Sequence, residues 1–579
     1  MKYLSQFLRE KKKLLFLIFF TALVQAFGTL MVPYFVAAII DSGIAQRNIP
    51  AIITIGLQML AAAGITALIS LWGSYLCADL AALVGKNLRE QIFAKIQLLS
   101  VKEFNHFGTA SMITRSTGDI TIIQQTLIMI LQMVLPTPLV AVAAVTMTAA
   151  VSPLLVYVPL AGMLGFFLII IILFRQASPI SKTIQQRVDV VNRLVRESIV
   201  GIRVIRAFDN TGYERKRSDS AFTQYADNVI RLNRIFAFFN PMVWVVMGLT
   251  MAAVVWFGGY LVLQQTIGVG SIAAVIEYTV MTLAYLMMSA MVLVNLPRMT
   301  ACLERIQEVL DTVPEIADSA AGREQPDAAN TQKIIFKDVT FSYKGAEKPV
   351  LEGLNFTCEQ GKTTAIIGGT GSGKSTIAGL MLRLYDIQQG QILLEGKDIR
   401  SITQHELRER ISYVPQKAFL FSGTIADNLR MGNQEATTEE LRHAAKIAQA
   451  DSFIDSLEAG YDSPVAQAGT NFSGGQKQRL CIARALVKKV PVYVFDDSFS
   501  ALDFKTDAAL RSALKREMRD AAVVIIAQRI STIMAADQII VLDAGRIAGI
   551  GPHAELIKTC GVYTEIADSQ LTEREKSSA

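Results

Sequence analysis

Long apolar stretches alternate with charged ones through the first half of the chain. Six of the apolar stretches can cross a bilayer of about 30 Å, which needs about 20 helical residues. They lie at Leu14–Ile40, Ala51–Cys77, Thr121–Val151, Pro153–Leu173, Ile235–Leu263 and Gly270–Leu296. The intervening segments Ala78–Ile120 and Phe174–Arg234 are long, charged and helical in pattern. We predict an all-α transmembrane domain over residues 1–312, with six spans and long cytoplasmic helical extensions.

Basic residues set the expected orientation of these spans. Lys11–Lys13 precede the first apolar stretch and no convincing cleavage site follows, which indicates an uncleaved anchor rather than a signal peptide. The short loops on the opposite side carry almost no charge apart from Asp41 and Arg47. Because basic residues remain on the cytoplasmic side, we expect the N-terminus and everything after the sixth span to be cytoplasmic.

The second half has the pattern of an α/β domain. Residues 313–332 are rich in Ala, Asp, Glu and Pro without periodicity, which predicts a linker. The α/β domain covers residues 333–569, and residues 570–579 form a charged tail. Within the domain, Gly368–Ser375 (GGTGSGKS) lies between a strand-like and a helix-like run. This pattern predicts a P-loop, in which backbone N–H groups and Lys374 hold phosphates and Ser375 offers an oxygen to Mg²⁺.

Composition agrees with a membrane protein. Hydrophobic residues make up 51% of the 579 residues and charged residues 18%, with a mean hydropathy of +0.37, which excludes a purely soluble protein. The net charge is +6 and the basic residues flank apolar stretches, so we expect membrane lipid rather than nucleic acid as a partner. The five cysteines and four histidines show no ligand spacing, so we expect reduced thiols and no metal site built from them.

A second motif, Asn471–Gln476 (NFSGGQ), follows the P-loop along the chain. This motif resembles the signature sequence of ABC-type ATPases, a family that also carries a P-loop. The resemblance implies ATP and Mg²⁺ as cofactors. The family pattern would place Tyr343 on adenine, Gln416 in the Q-loop and Asp496 at the end of the Walker B strand. Each residue alone has an ordinary alternative, such as a surface Tyr or a strand-ending Asp. The resemblance therefore implies a C-terminal α/β P-loop ABC ATPase domain behind the six-helix domain.

The resemblance also assigns the ATP contacts residue by residue. The nucleotide-binding positions are Tyr343, Gly368, Gly369, Thr370, Gly371, Ser372, Gly373, Lys374, Ser375, Thr376, Ser473, Gly474, Gly475 and Gln476, and the Mg²⁺ positions are Ser375, Gln416 and Asp496. In this family two ATPase domains pair head to tail, so the signature residues act on the ATP held by the other domain.

Three departures from the family pattern stand out, two that affect hydrolysis and one that affects the contact between chains. Asp497 replaces the glutamate that polarises the attacking water, and Gln528 replaces the switch histidine. Aspartate is one methylene shorter, and a glutamine amide cannot carry the charge of an imidazolium. With Gln416, these are our candidate catalytic residues, and we expect this chain's own ATP site to hydrolyse poorly. Segment Ser463–Gly469 lacks the glutamates usual in exporters, which puts the usual contact between chains in doubt.

The whole chain resembles one half of a bacterial heterodimeric multidrug ABC exporter, in the cytoplasmic membrane. The partner would be a homologous half-transporter with a competent Walker B Glu and switch His. Short coupling helices would lie around Phe104–Arg115 and Phe208–Glu214, or these segments are only solvated amphipathic helices. The alternatives are an ATP-gated regulatory or channel-like membrane protein, and an exporter of a peptide, lipid or metabolite. An importer is disfavoured because its membrane chains are usually separate.

Several intramembrane residues are candidates for substrate contact or gating. Glu277, Met281, Tyr285 and Met288 share one face of the sixth span and would suit amphipathic cations, although Glu277 is equally suited to reaching lipid headgroups. Asp41 ends the first span and is either an outer-gate latch or a hydrated helix-end carboxylate. Pro136 and Pro138 predict a kink in the third span, beside a cavity or facing lipid.

Overall fold

The computed structural model describes residues 2–293, 295–318, 327 and 329–570. Within them, six helical stretches are long and apolar enough to cross a membrane, and they coincide with the six apolar stretches of the sequence. They extend over Lys12–Ile44, Ile49–Leu98, Thr109–Val151, Tyr157–Val200, Thr211–Leu263 and Val269–Asp311. The prediction of a six-span α-helical domain is therefore confirmed. The second and fourth to sixth helices continue beyond their apolar parts, which produces the long extensions.

The bounds of the N-terminal helices are as follows. They are α1 Lys2–Glu10, α2 Lys12–Ala38, α3 Ile49–Leu98, α4 Val101–Phe107, α5 Thr109–Thr114, α6 Ile120–Met129, α7 Pro136–Val151, α8 Tyr157–Val200, α9 Ile202–Ala207, α10 Thr211–Leu263, α11 Val269–Leu293 and α12 Leu296–Asp311. Short π-helical turns connect several of them, at Ile39–Ile44, Arg115–Asp119 and Ile130–Val134. Helix α11 packs against α2, α7 and α10, with Tyr278 buried among Leu30, Ala143 and Ala144.

Two details of the spans differ from the sequence prediction. The fourth span begins at Tyr157 and not at Pro153, because Ser152 is extended (φ −160°, ψ 124°) and ends α7 before a short turn. In the third span, Pro136 is the first residue of α7 and follows the π-helical turn, where Leu135 N donates to Ile130 O at 2.9 Å. A wider turn at this point accommodates the missing proline N–H without leaving the helix.

The short helices at the tips of the extensions are also displaced from their predicted positions. The first is α4, which ends at Phe107, so the predicted Phe104–Arg115 wrongly joined it to the start of the third span. The second is α9, so the predicted Phe208–Glu214 is wrong by several residues. Helix α8 ends at Gly201, and α9 ends in a turn in which Asp209 has φ 50°.

The chain divides into two compact units, one of residues 1–97 and 107–312 and one of residues 98–106 and 313–579. The second unit thus contains the ATPase-like domain together with the segment around α4. Lys102 of that segment forms an ion pair with Glu315, and Glu103 Oε1 accepts a hydrogen bond from Glu315 N at 3.0 Å. These contacts attach α4 to the segment that leads into the α/β domain.

The α/β domain is built on a six-stranded sheet in the order β12–β11–β3–β10–β9–β6. All neighbouring strands are parallel except β12, which runs antiparallel to β11. Strands β9 and β10 are buried at every position, because helices cover both faces of the parallel sheet. A second sheet, antiparallel and in the order β2–β1–β4–β5, packs beside it. This confirms the predicted fold class.

The bounds of these strands and helices follow in chain order. They are β1 Gln332–Phe341, β2 Leu351–Glu359, β3 Thr363–Gly368, α13 Lys374–Met381, β4 Gln389–Leu394, β5 Lys397–Asp398, α14 Gln404–Glu409, β6 Ile411–Val414, β7 Gly423–Thr424, α15 Ile425–Arg430, α16 Thr438–Ile447, α17 Asp451–Asp455, β8 Pro464–Val465, α18 Gly474–Val487, β9 Val492–Asp496, α19 Phe504–Glu517, β10 Ala522–Ile526, α20 Ile530–Ile533, β11 Gln538–Asp543, β12 Arg546–Gly551, α21 His553–Thr559 and α22 Gly561–Gln570. Gln570 ends α22, so it does not belong to the tail in which the sequence placed it. The rest of that tail lies outside the described residues.

Candidate nucleotide site

The P-loop connects β3 to α13 at the carboxyl end of the parallel strands. Gly373 precedes α13 with φ 94°, a left-handed conformation that favours glycine. A Cβ at Gly368 would lie 2.3 Å from Leu542 O, so only glycine fits against the neighbouring strand β11. The backbone N–H groups of the loop are therefore brought to the N-terminus of a helix, where an anion is stabilised.

Two side chains of the loop are arranged for phosphate. Lys374 Nζ donates to the loop carbonyls Gly368 O at 2.9 Å and Gly369 O at 2.7 Å, so the ammonium lies within the cradle. Burial lowers the pKa of Lys374, while the negative charges of Asp497 and Asp496 oppose that shift. The Ser372 hydroxyl is buried and has no hydrogen-bond partner among the described residues. A cation and an unpartnered hydroxyl in one glycine loop fit a polyphosphate.

Oxygen ligands for Mg²⁺ converge beside the loop. Ser375 Oγ donates to Asp496 Oδ1 at 3.1 Å, and Tyr413 OH donates to Asp496 Oδ2 at 3.3 Å. Burial raises the pKa of Asp496, although both hydroxyl hydrogen bonds lower it. Gln416 Nε2 donates to Asp497 Oδ2 at 3.3 Å, which leaves its amide oxygen for a ligand. The structure thus brings the predicted residues Ser375, Gln416, Asp496 and Asp497 together.

The Tyr413 contact was not predicted from the sequence. Tyr413 lies on β6, and it reaches Asp496 only because β6 is the neighbour of β9 in the sheet. The apolar runs of a parallel sheet do not reveal strand order, so the sequence carries no signal for this contact.

Asp497 and Gln528, the predicted switch residue, follow the ends of two neighbouring strands, β9 and β10. Ile526 pairs with Asp496 in the sheet, and Asp497 N donates to Ile526 O at 2.8 Å. Asp497 has φ 47°, which turns the chain sharply at the end of β9. Gln528 follows two residues after Ile526, and it is exposed. Both departures from the family pattern therefore occur at the same edge of the sheet, next to the P-loop.

Tyr343 lines a cavity of about 570 Å³ in the second unit. Its ring makes edge contacts with Phe341 and Tyr385, with centroids 5.0 and 5.4 Å apart, and its hydroxyl lies 3.1 Å from Thr376 Oγ1. Ser100 and Lys102 of the α4 segment also line this cavity, as does Glu315. An aromatic wall next to the P-loop helix suits a nucleobase. The sequence did not predict that the α4 segment contributes to it.

The signature residues form the N-terminus of α18. Ser473 Oγ accepts a hydrogen bond from Gln476 N at 3.3 Å, and Gln476 Oε1 accepts one from Ser473 N at 2.9 Å, which is a capping box. A Cβ at Gly475 would lie 3.2 Å from Ala501 O, in the segment between β9 and α19. Among the described residues, no hydrogen bond joins the signature to the P-loop of the same chain.

The intramembrane candidates differ in their surroundings. Glu277 is exposed, and no hydrogen bond or ion pair links it to another described residue. Met288 is exposed as well, whereas Met281 and Tyr285 are half-buried. Asp41, in the π-helical turn after α2, accepts a hydrogen bond from Gly270 N at 2.7 Å. The first four form one face of α11, and Asp41 contacts the start of the same helix.

Comparisons with known proteins agree with this geometry. Residues 15–286 match the family described as ABC transporter transmembrane region, and residues 351–500 match the family described as ABC transporter. An uncharacterized ABC transporter ATP-binding protein of Mycobacterium tuberculosis (strain H37Rv) is 36% identical over 98% of this chain and 97% of its own length. An ATP-dependent lipid A-core flippase of Hahella chejuensis is 31% identical over 93% and 91%. A bacterial Atm1-family ABC exporter with ATP bound has a similar structure, with TM-score 0.81, 27% identity and coverage of 97% and 99%.

Proposed function

The chain belongs to the ABC transporters, and within that family we propose that it is one half of a heterodimeric exporter of amphipathic, drug-like compounds. It is an ATPase-coupled, multi-pass membrane exporter with its ATPase domain in the cytoplasm. The proposal adds three points: a second, homologous chain, a weakly hydrolytic ATP site on this chain, and the class of substrate.

The pairing of Asp497 with Gln528 carries the proposal. These residues follow neighbouring strands, β9 and β10, beside the P-loop, and in the proposal both act on the γ-phosphate. The Asp497 carboxylate is one methylene shorter than that of a glutamate and accepts a hydrogen bond from Gln416, and a misplacement of about 1 Å lowers a rate about a hundredfold. Gln528 supplies hydrogen bonds but no positive charge. A homodimer would therefore have two weak sites, and a partner with Glu and His at these positions would provide one competent site.

The signature of this chain is suited to serve that competent site. Ser473, Gly474 and Gly475 keep the family sequence and lie at a helix N-terminus, which favours a phosphate. In a head-to-tail pair these donors would act on the γ-phosphate held by the partner. The intact signature and the altered Walker side together support an asymmetric pair.

Mg²⁺ would be held by Ser375, Asp496 and the amide oxygen of Gln416. These are hard oxygen ligands of the kind that Mg²⁺ prefers, and Ser375 and Asp496 already contact each other. A bound Mg²⁺ would neutralise charge on the β- and γ-phosphates. Asp496 orients the Ser375 hydroxyl, and Tyr413 fixes the other carboxylate oxygen.

The substrate class rests on α11. Glu277 and Met288 are both exposed on that helix, and Glu277 has no partner among the described residues. An acid and a flexible, polarizable methionine on the same helix face suit an amphipathic cation. A lipid substrate is the second candidate, because one relative is named a lipid A-core flippase. An ATP-gated regulatory protein remains a third, since a weak site binds ATP without rapid turnover.

Purification of the chain alone and with its partner tests the proposal. The tagged chain is isolated from its native membrane, the co-purifying homologous chain is identified by mass spectrometry, and both forms are reconstituted in vesicles. We expect slow ATP hydrolysis by the chain alone, and fast hydrolysis with uptake of a cationic dye by the pair. Rapid turnover by the isolated chain would contradict the heterodimer, and uptake of lipid but not dye would favour the flippase alternative.

A further inference from the structure

The last residue of α22 contacts the backbone of the switch loop, residues 527–530, at two points. Gln570 Nε2 donates to Gln528 O at 2.9 Å, and Gln570 Oε1 accepts from Ile530 N at 2.9 Å. The carboxamide of Gln570 thus bridges the carbonyl of Gln528 and the amide of Ile530, the residues on either side of Arg529. No family motif includes this residue, which lies outside the ATPase motifs described above.

Among the described residues, Gln570 is the only one whose side chain hydrogen-bonds to residues 527–530. The Ile530 side chain is buried in the core, and Arg511 donates to Ser531 O and Thr532 O further along α20. Helix α20 has only four residues, and Arg529 at its N-cap makes no side-chain hydrogen bond to the helix. The first N–H groups of a helix have no partner within it, so an external acceptor is needed, and Gln570 supplies it for Ile530. On the sheet side, Ala527 N donates to Ile366 O at 3.1 Å. Gln528 is therefore held between the sheet and Gln570.

Helix α22, which carries Gln570, is anchored in the core of the ATPase domain. Tyr563 and Ala567 are fully buried, and Tyr563 OH lies 2.6 Å from His553 Nδ1 of α21. Thr564 Oγ1 donates to Ile557 O of the same helix α21 at 3.0 Å. With its preceding two turns fixed in the core, α22 places Gln570 at a defined distance from the loop.

We propose that Gln570 is a positioning residue that sets the orientation of Gln528 toward the γ-phosphate. The end of α22 then tunes how this ATP site distinguishes ATP from ADP, although Gln570 touches neither nucleotide. A change that unwinds the last turn of α22 releases the switch loop and weakens that distinction. This inference rests on the γ-phosphate contact of Gln528 in the proposed function.

The carboxamide allows matched variants that separate the two hydrogen bonds. Gln570→Ala removes both bonds. Gln570→Glu keeps an acceptor for Ile530 N but has no donor for Gln528 O. Ser569→Ala is the control, because Ser569 Oγ donates to Ile566 O within α22 and does not reach the loop.

Hydrogen–deuterium exchange of the full chain in lipid nanodiscs tests the structural step. In Gln570→Ala, the Ile530 amide should exchange about tenfold faster, because its acceptor is lost. In Gln570→Glu and Ser569→Ala, this amide should keep its protection. Unchanged exchange at Ile530 in Gln570→Ala would overturn the inference.

Nucleotide binding to the same nanodiscs tests the functional step. The ratio of affinities for the β,γ-imido analogue of ATP and for ADP isolates the γ-phosphate, and it needs no turnover. Gln528→Ala should lower this ratio about tenfold, and Gln570→Ala and Gln570→Glu should each lower it about threefold. Because Gln570 acts through Gln528, the double variant Gln528→Ala/Gln570→Ala should lower the ratio no further than Gln528→Ala alone.

The outcomes distinguish the two proposals. If Gln528→Ala lowers the ratio but neither Gln570 variant does, Gln570 does not position the switch residue and the inference fails. If Gln528→Ala leaves the ratio unchanged, the γ-phosphate contact in the proposed function is wrong, and with it the effect of Gln570 on nucleotide choice. A fall in the ratio with Ser569→Ala would show a general effect of α22 and would also overturn the inference.

Discussion

Asp41 and Gly270 join the ends of the first and sixth spans. The Asp41 carboxylate accepts a hydrogen bond from Gly270 N at 2.7 Å, at the first turn of α11. A Cβ on Gly268 would lie 2.2 Å from Asp41 Oδ2, so only a glycine before α11 leaves room for this carboxylate. The favourable field at a helix N-terminus adds to the bond, because the acceptor is negatively charged.

Loss of this bond should favour the outward-open state. Hydrogen bonds to charged groups contribute about 1.5–3 kcal/mol, enough to shift a two-state gate more than tenfold. We expect Asp41→Ala to increase the outward-open population without ATP and to weaken the coupling of ATP use to transport. Spin-label distances across the outer ends of the spans measure that population. Asp41→Asn, which retains an acceptor, should stay close to the native distribution, and an unchanged Asp41→Ala would leave Asp41 as a hydrated carboxylate.

Restoring the longer carboxylate should change little by itself. Asp497→Glu places a water-polarising group nearer the γ-phosphate, but Gln528 remains. We expect no more than about a threefold rise in ATP turnover of the isolated chain, and a larger rise in the double variant with Gln528→His. Steady-state phosphate release measures both. A large loss of turnover in Asp497→Glu assembled with its partner would mean that Asp497 is already the main catalytic group.

A bulky charge in the signature should abolish transport by the pair. Gly475→Asp adds a carboxylate whose Cβ meets Ala501 O at 3.2 Å, and it places negative charge where the partner's γ-phosphate would bind. Transport should fall by at least about a hundredfold, because donors to developing charge contribute that much to a rate. ATP binding at this chain's own P-loop, measured in the same sample, should be retained. Near-normal transport would show that the proposed pairing of sites is wrong.

The stability of the ATPase domain should fall in mild acid because of His553. Burial lowers the pKa of His553 below its ordinary 6.5. The unfolded chain therefore takes up the proton first, and the free energy of unfolding decreases as pH drops through 6.5, by up to about 1.4 kcal/mol per pH unit. A protonated ring would also need an acceptor at Nε2, which is buried and has none among the described residues.

Thermal unfolding of the full chain between neutral pH and mild acid measures this effect. The uncharged variant His553→Gln should be less stable at neutral pH, since it loses the contact with Tyr563, but it should show a shallower pH dependence. An equal slope in both proteins would assign the acid sensitivity to other groups.

The sequence predicted those features that local pattern determines. The six apolar stretches, the P-loop between a strand and a helix, and the all-α plus α/β architecture all depend on residues close together in the chain. The family pattern placed Asp496 at the end of a strand, and β9 does end at Asp496 and is buried at every position. The site roles of these residues remain predictions.

The remaining features depend on residues that are distant in sequence. Tyr413 reaches Asp496 through strand order, and Gln570 reaches the switch loop through the docking of α22. The second coupling helix was predicted several residues too late along the chain. Gly201 ends α8, but because it lies within an amphipathic stretch its sequence context did not indicate a helix end. Neither periodicity nor motif spacing contains this information.

The capping box at Ser473 has a consequence for the energetics of assembly. Because Ser473 Oγ accepts from Gln476 N, its own O–H remains available as a donor, in a rotamer fixed before any nucleotide arrives. Gln476 is fixed in the same way by Ser473 N. In the proposed pair, closure on the other chain's ATP would therefore freeze almost no side-chain torsion at Ser473 and Gln476, whereas freezing a rotamer-rich side chain costs about 0.5–1.5 kcal/mol. The signature would then meet that phosphate as a preformed template, and the entropy lost on closure would come mainly from the motion of the domains as rigid bodies.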